Sequence, residues 1–80
     1  MTKNELIDKI DQGYDIMFSV LDKHYTIITW MDEGIAIGEQ YPNDGELQFF
    51  GTASELVDGF MVGGKSLGEL SDKIAITDYT

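Results

Sequence analysis

From Tyr14 onward the apolar side chains recur at every second position. A chain that repeats this pattern across short polar breaks has little choice but an antiparallel sheet. Tyr14, Ile16, Phe18 and Val20 point one way, and Asp15, Met17, Ser19 and Leu21 the other. Asp22-Lys23 reads as a two-residue loop. His24 to Met31 then repeats the alternation, with Tyr25, Ile27, Thr29 and Met31 set against Thr26, Ile28 and Trp30. Asp32-Glu33-Gly34 is a three-residue connection with glycine where positive φ is needed, and it leads into Ile35-Ala36-Ile37-Gly38-Glu39. In this register Tyr14, Ile16, Phe18, Val20, Tyr25, Ile27, Thr29, Met31, Ile35 and Ile37 share one face of a meander. Tyr41-Pro42-Asn43-Asp44-Gly45 is a dense turn signal. A short fourth strand, Glu46 to Phe50, follows it.

Helical spacing flanks the meander. Thr2 and Glu5 stand three apart, as in a capping box, and open a helix over residues 3 to 12 that Gly13 ends. Thr52 and Glu55 repeat the spacing ahead of Ala53, Leu56, Val57, Phe60 and Met61, one apolar stripe at helical intervals. After the loop Val62-Gly63-Gly64-Lys65, Ser66 and Glu69 form a third such pair before Leu67, Leu70 and Ile74. Ile74-Ala75-Ile76-Thr77 alternates weakly, as a last edge strand or a surface tail. The expected architecture is α+β: an N-terminal helix, an antiparallel meander of three to four strands, and one or two C-terminal helices on one sheet face. Eighty residues hold too few apolar groups for two cores, so residues 1–80 form one domain.

Charge excludes more than it assigns. Fifteen acids against five lysines (Lys3, Lys9, Lys23, Lys65 and Lys73) give a net charge of −10, with no arginine. Direct nucleic-acid binding rests on basic patches that release counterions, and an anionic membrane surface demands the same sign. Neither partner suits this chain. No apolar run approaches a signal peptide or the roughly 20 residues of a membrane span, which makes the cytoplasm the expected location. Cysteine is absent, removing thiolate metal sites and nucleophilic thiols.

Residues that could carry chemistry have simpler roles. His24 is the lone imidazole, beside a hairpin turn, without the clustering zinc requires. Nucleophilic serine needs a base held in turn by an acid, whereas Ser66 is accounted for as a cap. Gly59-Phe-Met-Val-Gly-Gly64-Lys65-Ser66 spells a phosphate-binding loop. Phe60 and Met61, however, continue a helix stripe, and no buried strand precedes Gly59. Asp32-Glu33 and Asp44-Gly45-Glu46 lack the alternating oxygen ligands of a calcium loop. The chain is expected to have no catalytic residue, no cofactor and no metal site, and not to be an enzyme.

What remains is a patterned surface. No basic side chain lies between Lys23 and Lys65, a stretch that holds Asp32, Glu33, Glu39, Asp44, Glu46, Glu55 and Asp58. Acids on turns, strand ends and a helix face can imitate a phosphate track and dock in the basic channel of a nucleic-acid-binding protein. A second surface is apolar: Met17, Ile28 and Trp30 cluster opposite the small residues Ala36 and Gly38. That face suits an accessory domain that self-associates as a homodimer.

The order of helix, meander, Thr52-Ala-Ser-Glu-Leu-Val57 helix and Gly64-Lys65-Ser66-Leu67 before an acidic end resembles small acidic proteins of phages and prophages of Gram-positive bacteria. The resemblance implies a host bacterial cytoplasm. It also implies an inhibitor of host defence, of the anti-CRISPR or anti-restriction kind, that occupies a nucleic-acid groove.

Overall fold

A computed structural model describes residues 1–29, 32–41 and 45–79. In chain order the elements are α1 (Lys3–Asp11), β1 (Ile16–Val20), β2 (Lys23–Ile28), β3 (Ile35–Tyr41), β4 (Gln48–Phe50), α2 (Ala53–Gly59), β5 (Met61–Val62), β6 (Lys65–Ser66) and β7 (Ala75–Tyr79). The fold is α+β. An antiparallel sheet in the order β4-β3-β2-β1-β7 carries α1 and α2 on one face, and β5 and β6 pair as a separate hairpin.

α1 starts where a capping box was expected. The Glu5 amide donates to Thr2 Oγ1 at 3.2 Å and the Thr2 amide to Glu5 Oε1 at 3.0 Å. The Thr2 backbone amide first, and the Thr2 hydroxyl second, hold the Glu5 carboxyl below its ordinary range. Leu6 and Ile10 are buried against the sheet, and Gly13 turns the chain out at φ 84°.

The first hairpin turns at Leu21-Asp22 rather than Asp22-Lys23. Both residues take positive φ, 51° and 65°, and Val20 pairs with Lys23. A two-residue turn with positive φ at both positions follows the twist of the paired strands, and here it is built without glycine. Pairings move by two residues, so every side chain keeps its face. Ile16, Phe18, Val20, Tyr25, Ile27 and Ile37 are buried together, and Ile35 packs partly against them. Tyr14 does not join them. The Thr29 amide donates to Asp15 Oδ1 at 3.1 Å and the Thr29 hydroxyl to the Gly13 carbonyl at 2.8 Å. These side-chain bonds replace the ladder there, and Tyr14 stays outside the sheet and exposed. Met31 lies outside the described residues.

Weak alternation near the C-terminus is a real strand. β7 lies along β1, pairing Ile76 with Phe18, and the Thr77 hydroxyl donates to the Met17 carbonyl at 3.1 Å. The four-stranded meander β1–β4 is thereby extended by an edge strand to a sheet of five.

α2 is capped by Thr52, whose hydroxyl accepts from the Glu55 amide at 3.1 Å, while the Glu55 carboxylate reaches the Gly51 amide at 3.2 Å. The apolar stripe is shorter than its spacing suggests. α2 ends at Gly59 and Phe60 is its buried cap in extended conformation. Met61, already in β5, is 57% exposed. Gly63 and Gly64, at φ 61° and 85°, make a tight turn that sends the chain back as β6. The third cap forms its bonds without its helix. Glu69 and Ser66 bond reciprocally at 3.1 and 3.2 Å, but only a single 3-10 turn, Ser71–Lys73, follows. Gly68, a weak helix former, instead donates its amide across to the Val57 carbonyl at 2.9 Å.

Candidate interaction surface

Base-free sequence becomes one half of the sheet and its covering helix, and its acids divide into groups. Asp32 and Glu33 are exposed in the turn between β2 and β3. Gly34 beside them packs so closely on Phe50 that a Cβ there would stand 2.6 Å from the Phe50 carbonyl oxygen. This contact brings the Asp32-Glu33 turn next to Gly51 and the exposed Glu55 in the first turn of α2. Glu39 sits toward the far end of β3, about 13 Å of strand beyond Ile35, and Glu46 lies in the loop that returns to β4. Asp58, three residues after Glu55 on α2, pairs instead with Lys3 of α1 at 2.6 Å. Both partners of that pair are half-exposed, so the bond contributes at most about 1 kcal/mol. Asp44 lies outside the described residues. Five of the expected residues thus fall on the turn into β3, on β3 itself, on the loop into β4 and on the first turn of α2, and Asp58 is paired with α1 instead.

Glu39 and Glu46 converge on a cleft of about 380 Å³ between that edge and the β5-β6 hairpin. Its other walls include Lys23, Tyr25, Phe60 and Met61. Tyr25 is 4% exposed, with its ring stacked on Phe18 (centroids 5.5 Å, 21°) and edge-on to Phe60 (5.5 Å, 82°). Burial first, and the Glu39 charge second, push its phenol above the ordinary value of 10.0. A raised folded-state value means that the phenol's contribution to stability is intact below pH 10 and is lost as pH rises through the shifted value. The urea midpoint of the protein is expected to fall above about pH 10, and Tyr25→Phe to flatten that fall. An identical alkaline fall in the variant overturns the assignment.

The alternative apolar surface is the sheet face away from the helices. Met17 and Ile28 are half-buried there, Ala36 is fully buried and Gly38 is covered by the Leu47 side chain. Trp30 lies outside the described residues. Leu47 and Phe49, 42% and 43% exposed, extend this face and were not anticipated as part of it. Phe49 is opposite Ala36 in the β3-β4 pairing, which strand alternation alone would have indicated had the pairing been fixed.

Elsewhere the chemistry is structural. His24 is the second residue of β2, paired with Ser19, rather than a turn residue. Gly59 to Ser66 is a helix end and a hairpin, with Gly63-Gly64 at its tip, and not a loop wrapped around an anion. Among the described residues no three His, Asp or Glu side chains are grouped to hold a metal ion, and no helix is long and apolar enough to cross a membrane. Sequence reasoning missed Tyr25 and Phe60 as cleft walls. The available signal was a polar-tipped aromatic within an otherwise aliphatic strand face. The chain matches no protein-family model, no curated protein and no solved structure.

Proposed function

We propose that this chain is a small, non-enzymatic acidic protein of the bacterial cytoplasm, phage-derived, that binds a nucleic-acid-handling host enzyme and inhibits it by occupying its basic groove. The observation that carries this reading is the acidic edge. Asp32, Glu33, Glu46 and Glu55 are all exposed, in the turn into β3, the loop into β4 and the first turn of α2, within a stretch of sequence that holds no lysine or arginine. Acids fixed on the folded surface present less ordering cost to a basic groove than a flexible acidic tail does. The net charge of −10 adds long-range attraction to such a groove.

Immobilised protein is expected to retain, from a Gram-positive lysate, a protein that is eluted by duplex DNA and by raised salt. The triple variant Asp32→Asn, Glu33→Gln, Glu55→Gln is expected to lose that capture while melting as the parent does. Retention indifferent to DNA, or undiminished in the variant, refutes groove occupancy. A second reading is favoured by the exposed Leu47 and Phe49 beside Met17 and Ile28: an accessory domain that self-associates through this face. Sedimentation separates the two. A micromolar dimer that Phe49→Glu converts to monomer supports self-association, and a monomeric parent rejects it.

A further inference from the structure

The sheet face turned away from α1 and α2 lacks the charge that the rest of the chain carries. The strand register sets Met17, Thr26 and Gly38 side by side across β1, β2 and β3, and Ile28, Ala36 and Phe49 in the next row across β2, β3 and β4. An antiparallel sheet with one solvated face alternates apolar and polar side chains along its strands. Here these outward positions are apolar or small as well. Thr26, on the central strand, is half-buried, yet its Oγ1 is shut off from solvent without a hydrogen-bond partner, so what the side chain exposes is carbon. On a wetted face that hydroxyl gains by turning out to water. Among the described residues, the register places a single acid on this face, Asp78 of the edge strand β7, opposite Met17. All five lysines are elsewhere: Lys3 and Lys9 on α1, Lys73 in the 3-10 turn packed on α1, Lys65 on β6, and Lys23 paired with Val20 of the buried face. Exposed acids stand at the margin, Asp32 and Glu33 in the turn into β3 and Glu46 in the loop into β4. That loop passes over Gly38, where an added Cβ would lie 3.0 Å from Leu47 Cδ2 and 3.5 Å from the Glu46 carbonyl oxygen.

We infer that this face receives an amphipathic helix with basic flanks, presented by the partner protein. Its apolar stripe lies on Met17, Ile28 and Phe49, and its lysine or arginine arms extend outward to Asp78, to Asp32 and Glu33, and to Glu46. The match is apolar at the centre and of opposite charge around it, and the helix forms a third layer opposite α1 and α2. A second copy of the chain fits worse. A two-fold contact sets the same patch against itself, which closes the marginal acids of one copy on those of the other in two chains of −10. The source of the helix rests on the function proposed above, but the affinity of the face for such a helix does not.

The probe is a capped peptide of leucine, lysine and alanine, about 18 residues long, with its leucines on one helical face. As a helix of about 27 Å it outreaches the longest strand, about 23 Å. Titrated into the isotope-labelled protein and followed by NMR, it is expected to saturate by about 100 µM and to shift the methyl groups of Met17, Thr26 and Ile28 and the Phe49 ring. A scrambled peptide of the same composition keeps the charge and loses the stripe, and is expected to bind at least about tenfold more weakly. Phe49→Ala is expected to weaken binding about tenfold. Met61→Ala, which removes an exposed apolar side chain from the hairpin on the helix side, is expected to change it less than about twofold. Phe49 is 43% exposed, so its variant keeps the fold. Thr26→Val, which replaces the hidden hydroxyl with a methyl group, is expected to bind as the parent does, and a tenfold loss there means that the face recognises its ligand through a polar group and overturns the inference. Equal binding of the two peptides, equal weakening by Phe49→Ala and Met61→Ala, or a dimer that already closes the face without peptide also overturns it. The two ideas fail separately. DNA-sensitive capture without peptide binding removes the helix site and leaves the groove reading, whereas peptide binding without capture does the reverse.

Discussion

Gly34→Ala is expected to cost on the order of 3–5 kcal/mol in a denaturant titration, a large fraction of the stability of a domain this size, about 4–12 kcal/mol. Two penalties coincide at this position. Gly34 sits at φ 126°, a conformation that side chains resist, and its added Cβ would meet the Phe50 carbonyl oxygen at 2.6 Å. That oxygen is backbone and cannot rotate away. Either the start of β3 and the end of β4 separate, or the turn changes shape and carries Asp32 and Glu33 with it. Gly64→Ala is the control. It has a similar backbone constraint, φ 85°, and nothing within 4 Å of its added carbon, so its expected cost is about 1 kcal/mol. Equal effects at the two glycines mean that backbone conformation alone, and not the contact with Phe50, constrains Gly34.

Phe60→Ala is expected to destabilise by about 3–5 kcal/mol and Met61→Ala by less than about 0.5 kcal/mol. Their helical spacing suggests one buried stripe for both, yet the chain leaves helical geometry between Gly59 and Met61. Phe60 is 6% exposed and rests edge-on against Tyr25. Removing its ring opens a cavity under the cleft and loosens the Tyr25 ring. Met61 faces outward, so its loss removes little buried area. A large effect at Met61 indicates that α2 continues through residue 61.

The sequence reveals the parts of this fold that are settled locally. A threonine three residues before a glutamate fixes the start of α1, and period-two alternation fixes which faces of β1, β2 and β3 are buried, even with the turn misplaced by one residue. Leu21-Asp22 is hidden because neither residue favours positive φ; the turn is imposed by the strands on either side of it. The end of α2 is hidden for the opposite reason. A local signal, Gly63-Gly64, reads as a loop and is the turn of a hairpin whose first strand takes over at Met61, so the helix stops at Gly59, two residues early. β7 depends on a partner nearly the whole chain away, which no local pattern encodes. The acids show the same divide. Their identities and the absence of bases among them are plain in the sequence. The convergence of Glu39 and Glu46 on one cleft depends on the return from β3 to β4, and Tyr25 joins its lining only through packing against Phe18 and Phe60.

The pairing of β7 with β1 sets an order on assembly. β1 is an inner strand, yet one of its two neighbours is contributed by residues about 60 positions later. During synthesis the segment Ile16–Val20 has β2 on one side and an open ladder on the other until Ala75–Tyr79 has been made. Such an open edge invites pairing with other chains, and closing so long a loop delays the last step of folding. Repulsion between chains of charge −10 opposes that pairing at low salt. The acidity proposed to find a partner therefore also protects the unfinished sheet.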